Sequence, residues 1–159
     1  MRSFELTFRP NTALVSVVRR FVSDFYDRLL DDSDATSRVA LATHELLENA
    51  VKYASDGETR LRVEFDPAAA SLTVRTWNRT SAEHLDALRQ AFADMEGAGD
   101  PLAFYQAAMR KTSKQAEGSG LGLARVLAEA EMSMHLEVEA DQVLIVGCTS
   151  LAEAACTSG

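Results

Sequence analysis

The apolar residues of this chain change their spacing in a set order, and that order restricts the architecture more than any other feature. Ser3 to Phe8 places Phe4, Leu6 and Phe8 at every second position, the pattern of a half-buried strand, and Pro10-Asn11 ends it. Helical spacing follows in Leu14, Val17, Val18, Phe21, Val22 and Phe25. The acidic stretch Asp31-Asp32-Ser33-Asp34 then reads as a turn and N-cap, suited to the helix dipole, for a second helix of about 20 residues running to Ala54. After the turn Ser55-Asp56-Gly57-Glu58, Thr59 to Phe65 and Ser71 to Trp77 alternate around Asp66-Pro67 as a hairpin. Glu83 to Met95 and Leu102 to Met109 are helical on either side of a break at Gly97-Ala98-Gly99-Asp100-Pro101. Arg110 to Glu117 is polar and reads as a mobile loop; Gly118 to Leu123 opens a helix through Ala130, and Met134 to Glu139 with Gln142 to Thr149 form a closing hairpin over Ala140-Asp141. Two helices before the first hairpin and a helical insertion after it exclude the strict alternation of a doubly wound sheet. The expected class is α+β: a two-layer sandwich of a mixed, mostly antiparallel sheet with helices on one face.

With 159 residues and 47% hydrophobic content the chain can bury one good core, so residues 1–152 are read as a single domain and 153–159 as a flexible tail. The longest apolar runs, such as Val143 to Cys148, fall far short of a membrane span, and Met1-Arg2-Ser3-Phe4-Glu5 is no signal peptide. A cytoplasmic protein is expected, with Cys148 and Cys156 as free thiols. The net charge of -8 argues against nucleic acid, whose binding needs clustered Lys and Arg. It suits solubility and leaves a basic protein partner open.

On a wheel of about 100° per residue, Asn49 falls near 40° and Lys52 near -20° from Glu45, so the three project as one polar stripe. Val39, Ala42, Leu46, Ala50 and Tyr53 occupy the adjoining sector, which has to pack on the sheet. A stripe bordering the core suits a ligand site. Asn49 can offer its amide oxygen to Mg²⁺, Glu45 can accept a proton from an attacking hydroxyl or water, and Lys52 can neutralise phosphate. The plainer alternative is a solvated face in which Glu48 and Lys52 pair.

Gly118-Ser119-Gly120-Leu121-Gly122-Leu123 joins a polar segment to a helix, so backbone N–H groups can approach an anion at the positive helix end. No Gly-Lys-Ser/Thr follows and no strand immediately precedes, which excludes a Walker A loop and a dinucleotide fingerprint. A flexible turn with a glycine for tight packing is the alternative.

The segment Ala42 to Tyr53, with Glu45 and Asn49, resembles the N-box of the GHKL ATPases, and Gly118 to Leu123 resembles their second glycine box. The resemblance covers nearly the whole chain and implies the Bergerat fold, with ATP and Mg²⁺ as ligands. It makes Glu45 the general base, Asn49 the Mg²⁺ ligand, Lys52 a phosphate contact, and Gly118, Ser119, Gly120, Leu121, Gly122 and Leu123 the phosphate cradle. Small size and the first helix with Arg19 and Arg20 look most like the stand-alone anti-sigma serine/threonine kinases of bacterial partner switching, which phosphorylate a small STAS-domain protein. The family's first glycine box is absent: where Asp-x-Gly-x-Gly should follow the central strand, the chain reads Asn78-Arg79-Thr80-Ser81. Asn78 takes the place of the adenine-reading Asp, and its carbonyl oxygen can still accept a hydrogen bond from an amino group. The same loss together with a helical insertion is similar to the SiaB-type kinases. A kinase acting on a STAS-domain protein is therefore one reading. The other is a degenerate GHKL module that holds a sigma factor or STAS partner without turnover. A homodimer is compatible with either.

His44, His84 and His135 share no ligand spacing and read as surface residues; Trp77 reads as core. Arg110, Lys111 and Lys114 read as a solvated loop within reach of phosphate, and Thr149 as an ordinary strand residue or a water-mediated contact to adenine.

Overall fold

The computed structural model describes residues 1–112 and 120–151. Its elements follow the order β1 (Arg2–Phe8), α1 (Thr12–Leu29), α2 (Ser33–Lys52), β2 (Thr59–Asp66), β3 (Ser71–Arg79), α3 (Ala82–Ala98), α4 (Pro101–Thr112), α5 (Leu121–Ala128), β4 (Ser133–Glu139) and β5 (Gln142–Ser150). The expected tail and the segment 113–119, with Gly118, Ser119 and Lys114, lie outside the described residues, as does Cys156.

Local chemistry explains where the helices start. The Asn11 side chain accepts from the Ala13 N–H at 2.9 Å, Asp32 accepts from Asp34 and Ala35, and Ser81 accepts from His84, each capping otherwise unpaired donors. The helix ending before the break runs to Ala98, beyond the expected Met95, because Gly99 supplies its left-handed C-cap. α4 likewise runs to Thr112, past the Arg110 at which a loop was expected to begin, and carries Arg110 and Lys111 on its last turn.

The sheet order is β1-β2-β3-β5-β4 and every pairing is antiparallel. β3 reaches β4 by a crossover through α3, α4 and α5 that leaves a place for β5 between them. Leu61, Val63, Leu72, Val74, Val143 and Ile145 face one side and meet Val39, Ala42, Leu46 and Leu47 of α2, together with Val15, Val22 and Tyr26 of α1. Tyr26 is fully buried, and its hydroxyl lies 2.9 Å from Oγ1 of Thr43, which also donates to the Val39 carbonyl. A smaller cluster of Phe104, Ala108 and Ala124 fixes α4 on α5.

The other face of the sheet is polar. Glu5, Arg60, Arg62, Glu64 and Arg75 form a cross-strand ladder of ion pairs. Trp77 sits on this face, only part-buried under the Arg60 guanidinium at 5.4 Å from its ring, so it is not a core residue. Strand parity decides this: Thr76 and Asn78 point to the helices, which sends Trp77 outward.

Candidate active site

A cleft of about 340 Å³ opens between α2, the end of β3, α3 and the start of α5. Asn49 and Tyr53 come from α2 and its C-cap, Asn78 and Thr80 from β3 and the bridge beyond it, and Gly120 and Leu123 from the second glycine segment. Glu83, His84, Ala87, Leu88 and Ala91 of α3 supply the opposite wall. The helical insertion therefore builds one side of the cleft, where the family's first glycine box is lacking.

The cleft floor is held in place by backbone pairing. Ala54 bridges Thr80, the Thr80 hydroxyl donates to the Tyr53 carbonyl at 2.8 Å, and the Ser55 N–H donates to the Arg79 carbonyl. Asn78 is 5% exposed and its Nδ2 donates to the Arg79 carbonyl at 3.2 Å, leaving Oδ1 to accept. Asn49 is half-buried on the wall, and its side-chain amide bonds to no described residue.

Gly120 has φ 68° and ψ 10°, a left-handed conformation that favours glycine, and no side chain caps the helix it starts. Gly122 is crowded in a different way. A Cβ there would stand 2.9 Å from Oε2 of Glu45, closer than packed atoms approach.

Glu45 is 8% exposed and does not line the cleft; it turns toward α5, where the Arg125 guanidinium donates to Oε1 at 2.5 Å. Burial pushes the Glu45 carboxyl above its ordinary range, and the Arg125 charge pulls against that shift. Lys52 is exposed, with Nζ 5.3 Å from the Tyr53 ring, and it does not line the cleft either. The three residues of the polar stripe thus diverge: Asn49 into the cleft, Glu45 behind it against Gly122, Lys52 outside. Leu121 and Gly122 are half-buried beside the lining residues Gly120 and Leu123.

Two residues that the sequence reading left out of the site bear on it. His84, expected at the surface, lines the cleft, with its ring 4.9 Å from Tyr53 and Nδ1 3.0 Å from the Ser81 hydroxyl. The capping sequence Ser81-Ala82-Glu83-His84 was the available signal. Arg125 is the second; its place one turn after Gly122 marked it as a neighbour of the loop. His44 is half-buried, 3.7 Å from Glu48, rather than on the surface, while His135 is exposed. Lys111 bonds to Asp94 at 3.0 Å and ties α4 to α3. Thr149 donates to the Glu131 carbonyl at 3.2 Å and is absent from the cleft lining.

Residues 8–145 of the chain match the histidine kinase-like ATPase domain. This chain belongs to that family. No curated protein sequence matches it. Among solved structures, a chain of the SiaB–SiaC complex from Pseudomonas aeruginosa shares the fold, with TM-score 0.63 over 91% of this chain and 88% of the other at 16% identity. A family of ATPase domains implies ATP as the ligand of the cleft, and the lining fits it: an amide acceptor deep in the pocket, apolar α3 side chains for a flat base, and a glycine at a helix start for phosphate. Among the described residues no three His, Cys, Asp or Glu side chains converge on a cation. Magnesium here would be held by Asn49 with phosphate and water oxygens, the arrangement this ion favours. No described helix is long and apolar enough to cross a membrane.

Proposed function

We propose that this chain is a GHKL-type serine/threonine protein kinase that transfers the γ-phosphoryl group of ATP to a small STAS-domain protein in the cytoplasm. The observation that carries the reading is the meeting of Asn78, Asn49 and Gly120 on one cleft, with the Glu45 carboxylate buried one helical turn away behind Gly122. Asn78 Oδ1 accepts from the adenine amino group, and the α3 wall excludes water from the base. The opening of α5 at Gly120, joined by Gly118, Ser119 and Leu121 to Leu123, receives the phosphates; Lys52 at the rim adds positive charge. Asn49 would hold magnesium, which would supply positive charge to the transferring group. Glu45 takes the proton of the serine or threonine hydroxyl as its oxygen bonds to the γ-phosphorus and the bond to the ADP oxygen breaks. A small movement of Glu45 toward the cleft is part of this reading.

The partner class rests on the family resemblance and on the shared fold with a chain of a complex between SiaB and SiaC. A SiaC-like protein encoded beside this one is the first substrate to try, and a sigma factor or other regulator the second. Incubation with Mg-ATP should phosphorylate it, and Glu45→Ala or Asn49→Ala should abolish the transfer; no phosphorylation by the unaltered chain would overturn the assignment.

A second reading draws on the absent glycine pair at Asn78-Arg79-Thr80-Ser81 and on the engagement of Glu45 by Arg125. On that reading the domain holds its partner without turnover. Calorimetry separates the two: partner binding that ignores Mg-ATP, with no nucleotide uptake at millimolar concentration, belongs to the binding module alone.

A further inference from the structure

Arg125 lies outside every motif that carries the resemblance, yet it makes the shortest polar contact at the base assigned above. Its Nη1 donates to Glu45 Oε1 at 2.5 Å, and its Nε lies 3.5 Å from Glu129, one turn further along α5. Glu45 Oε2 accepts no hydrogen bond from any described residue and abuts Gly122, the second position of the helix that starts at Gly120. One oxygen of the carboxylate is therefore held and the other is directed at the opening of the glycine segment.

We infer that Arg125 is a positioning residue for Glu45: it fixes one carboxylate oxygen so that the other faces the glycine segment. The inference rests on the kinase reading for its consequence, and on geometry alone for the interaction. A carboxylate this enclosed favours its neutral form unless a cation is near, and a neutral acid cannot serve as a base. Among the described residues, Arg125 and His44 favour ionisation of Glu45 and Glu48 and Glu129 oppose it, and none of these comes from α1, β2 or β3, which also pack on α2. Arg125 leads the favourable pair, and Glu129 shares its guanidinium.

The test is a side-chain carboxyl carbon NMR titration of Glu45 in the full chain, with phosphoryl transfer measured across the same pH range. In Arg125→Gln the Glu45 midpoint should rise. Transfer should fall about tenfold or more at the acid end of the range, part of the 10²- to 10⁴-fold that a placed base supplies, with the deficit shrinking as pH increases. Arg125→Lys should recover part of both. Glu129→Gln retains Arg125 and removes the competing carboxylate, so its midpoint should fall; this variant carries the test should Arg125→Gln fail to fold. A Glu45 midpoint unmoved by Arg125→Gln, or unmoved by Glu129→Gln, overturns the inference, as does a transfer loss equal at every pH. If the unaltered chain transfers no phosphoryl group at any pH, the kinase reading fails while the midpoints still decide the role of Arg125.

Discussion

Glu45 and Gly122 are packed so closely that a Cβ on Gly122 would stand 2.9 Å from the carboxylate Oε2. At Gly122 the constraint is space, since its backbone is ordinary helix, whereas Gly120, two residues before it, favours glycine for its positive φ. Gly122→Ala must displace the Glu45 carboxylate or lift the first turn of α5. The expected cost is about 1 to 3 kcal/mol of stability, as for other overpacked sites. Transfer should fall far more than nucleotide affinity, because the base moves while the cleft lining persists. Urea unfolding alongside paired kcat and KM measurements checks both; equal losses in affinity and rate would contradict the placement.

Asn78 supplies a buried side-chain acceptor in the cleft lining, its Nδ2 being committed to the Arg79 carbonyl. Replacing it with Leu removes that acceptor while keeping the branching and the number of heavy atoms. ATP should then bind roughly 10- to 100-fold more weakly, the cost of one unmet buried hydrogen bond, and discrimination against GTP should shrink. Competitive calorimetry with both nucleotides measures this, and unchanged discrimination would remove Asn78 from base recognition.

The strands and the helix order could be read from spacing alone because period two and period 3.6 leave different marks on a chain. The site was only partly legible. Glu45, Asn49 and Lys52 do share one direction on the wheel, but the wheel fixes Cα–Cβ vectors and not what each side chain meets. Arg125 captures Glu45, and Lys52 turns over Tyr53, which leaves Asn49 alone in the cleft. His84 was read as a surface residue because its place in the cleft depends on where the insertion α3 folds back, a long-range contact that the capping sequence alone does not fix. Trp77 was misplaced by its hydrophobicity: strand parity, together with Arg60 on the neighbouring strand, puts its ring on the polar face.

Stability should carry a pH signature of Glu45. Burial raises its carboxyl in the folded chain above the unfolded value, so the folded state binds the proton more tightly. Its stabilising contribution is complete at pH below the unfolded value and is lost as pH rises through the folded one, so the ionised group costs stability near neutrality. Glu45→Gln, which does not titrate, should melt higher than the unaltered chain at neutral pH, with the gap closing on acidification. Melting curves across pH test the sign; a variant less stable at neutral pH would show that the Arg125 pair outweighs burial.

Tyr26 and Thr43 join α1 to α2 through a hydrogen bond buried beneath the core. Tyr26→Phe leaves Thr43 its bond to the Val39 carbonyl, so the loss should be small, about 1 kcal/mol, whereas Tyr26→Ala should cost about 3 to 5 kcal/mol through the cavity it opens. Urea midpoints at constant slope give both values. Similar losses for the two variants would mean that the hydroxyl, not the ring, carries the contact.

The most direct measurement of the central claim is the intact mass of a SiaC-like partner after incubation with this chain and Mg-ATP. The partner should gain the mass of one phosphoryl group, at a serine or threonine, and should gain nothing with Glu45→Ala in place of the unaltered chain. A partner that binds but keeps its original mass in every mixture would contradict the assignment of this cleft to phosphoryl transfer.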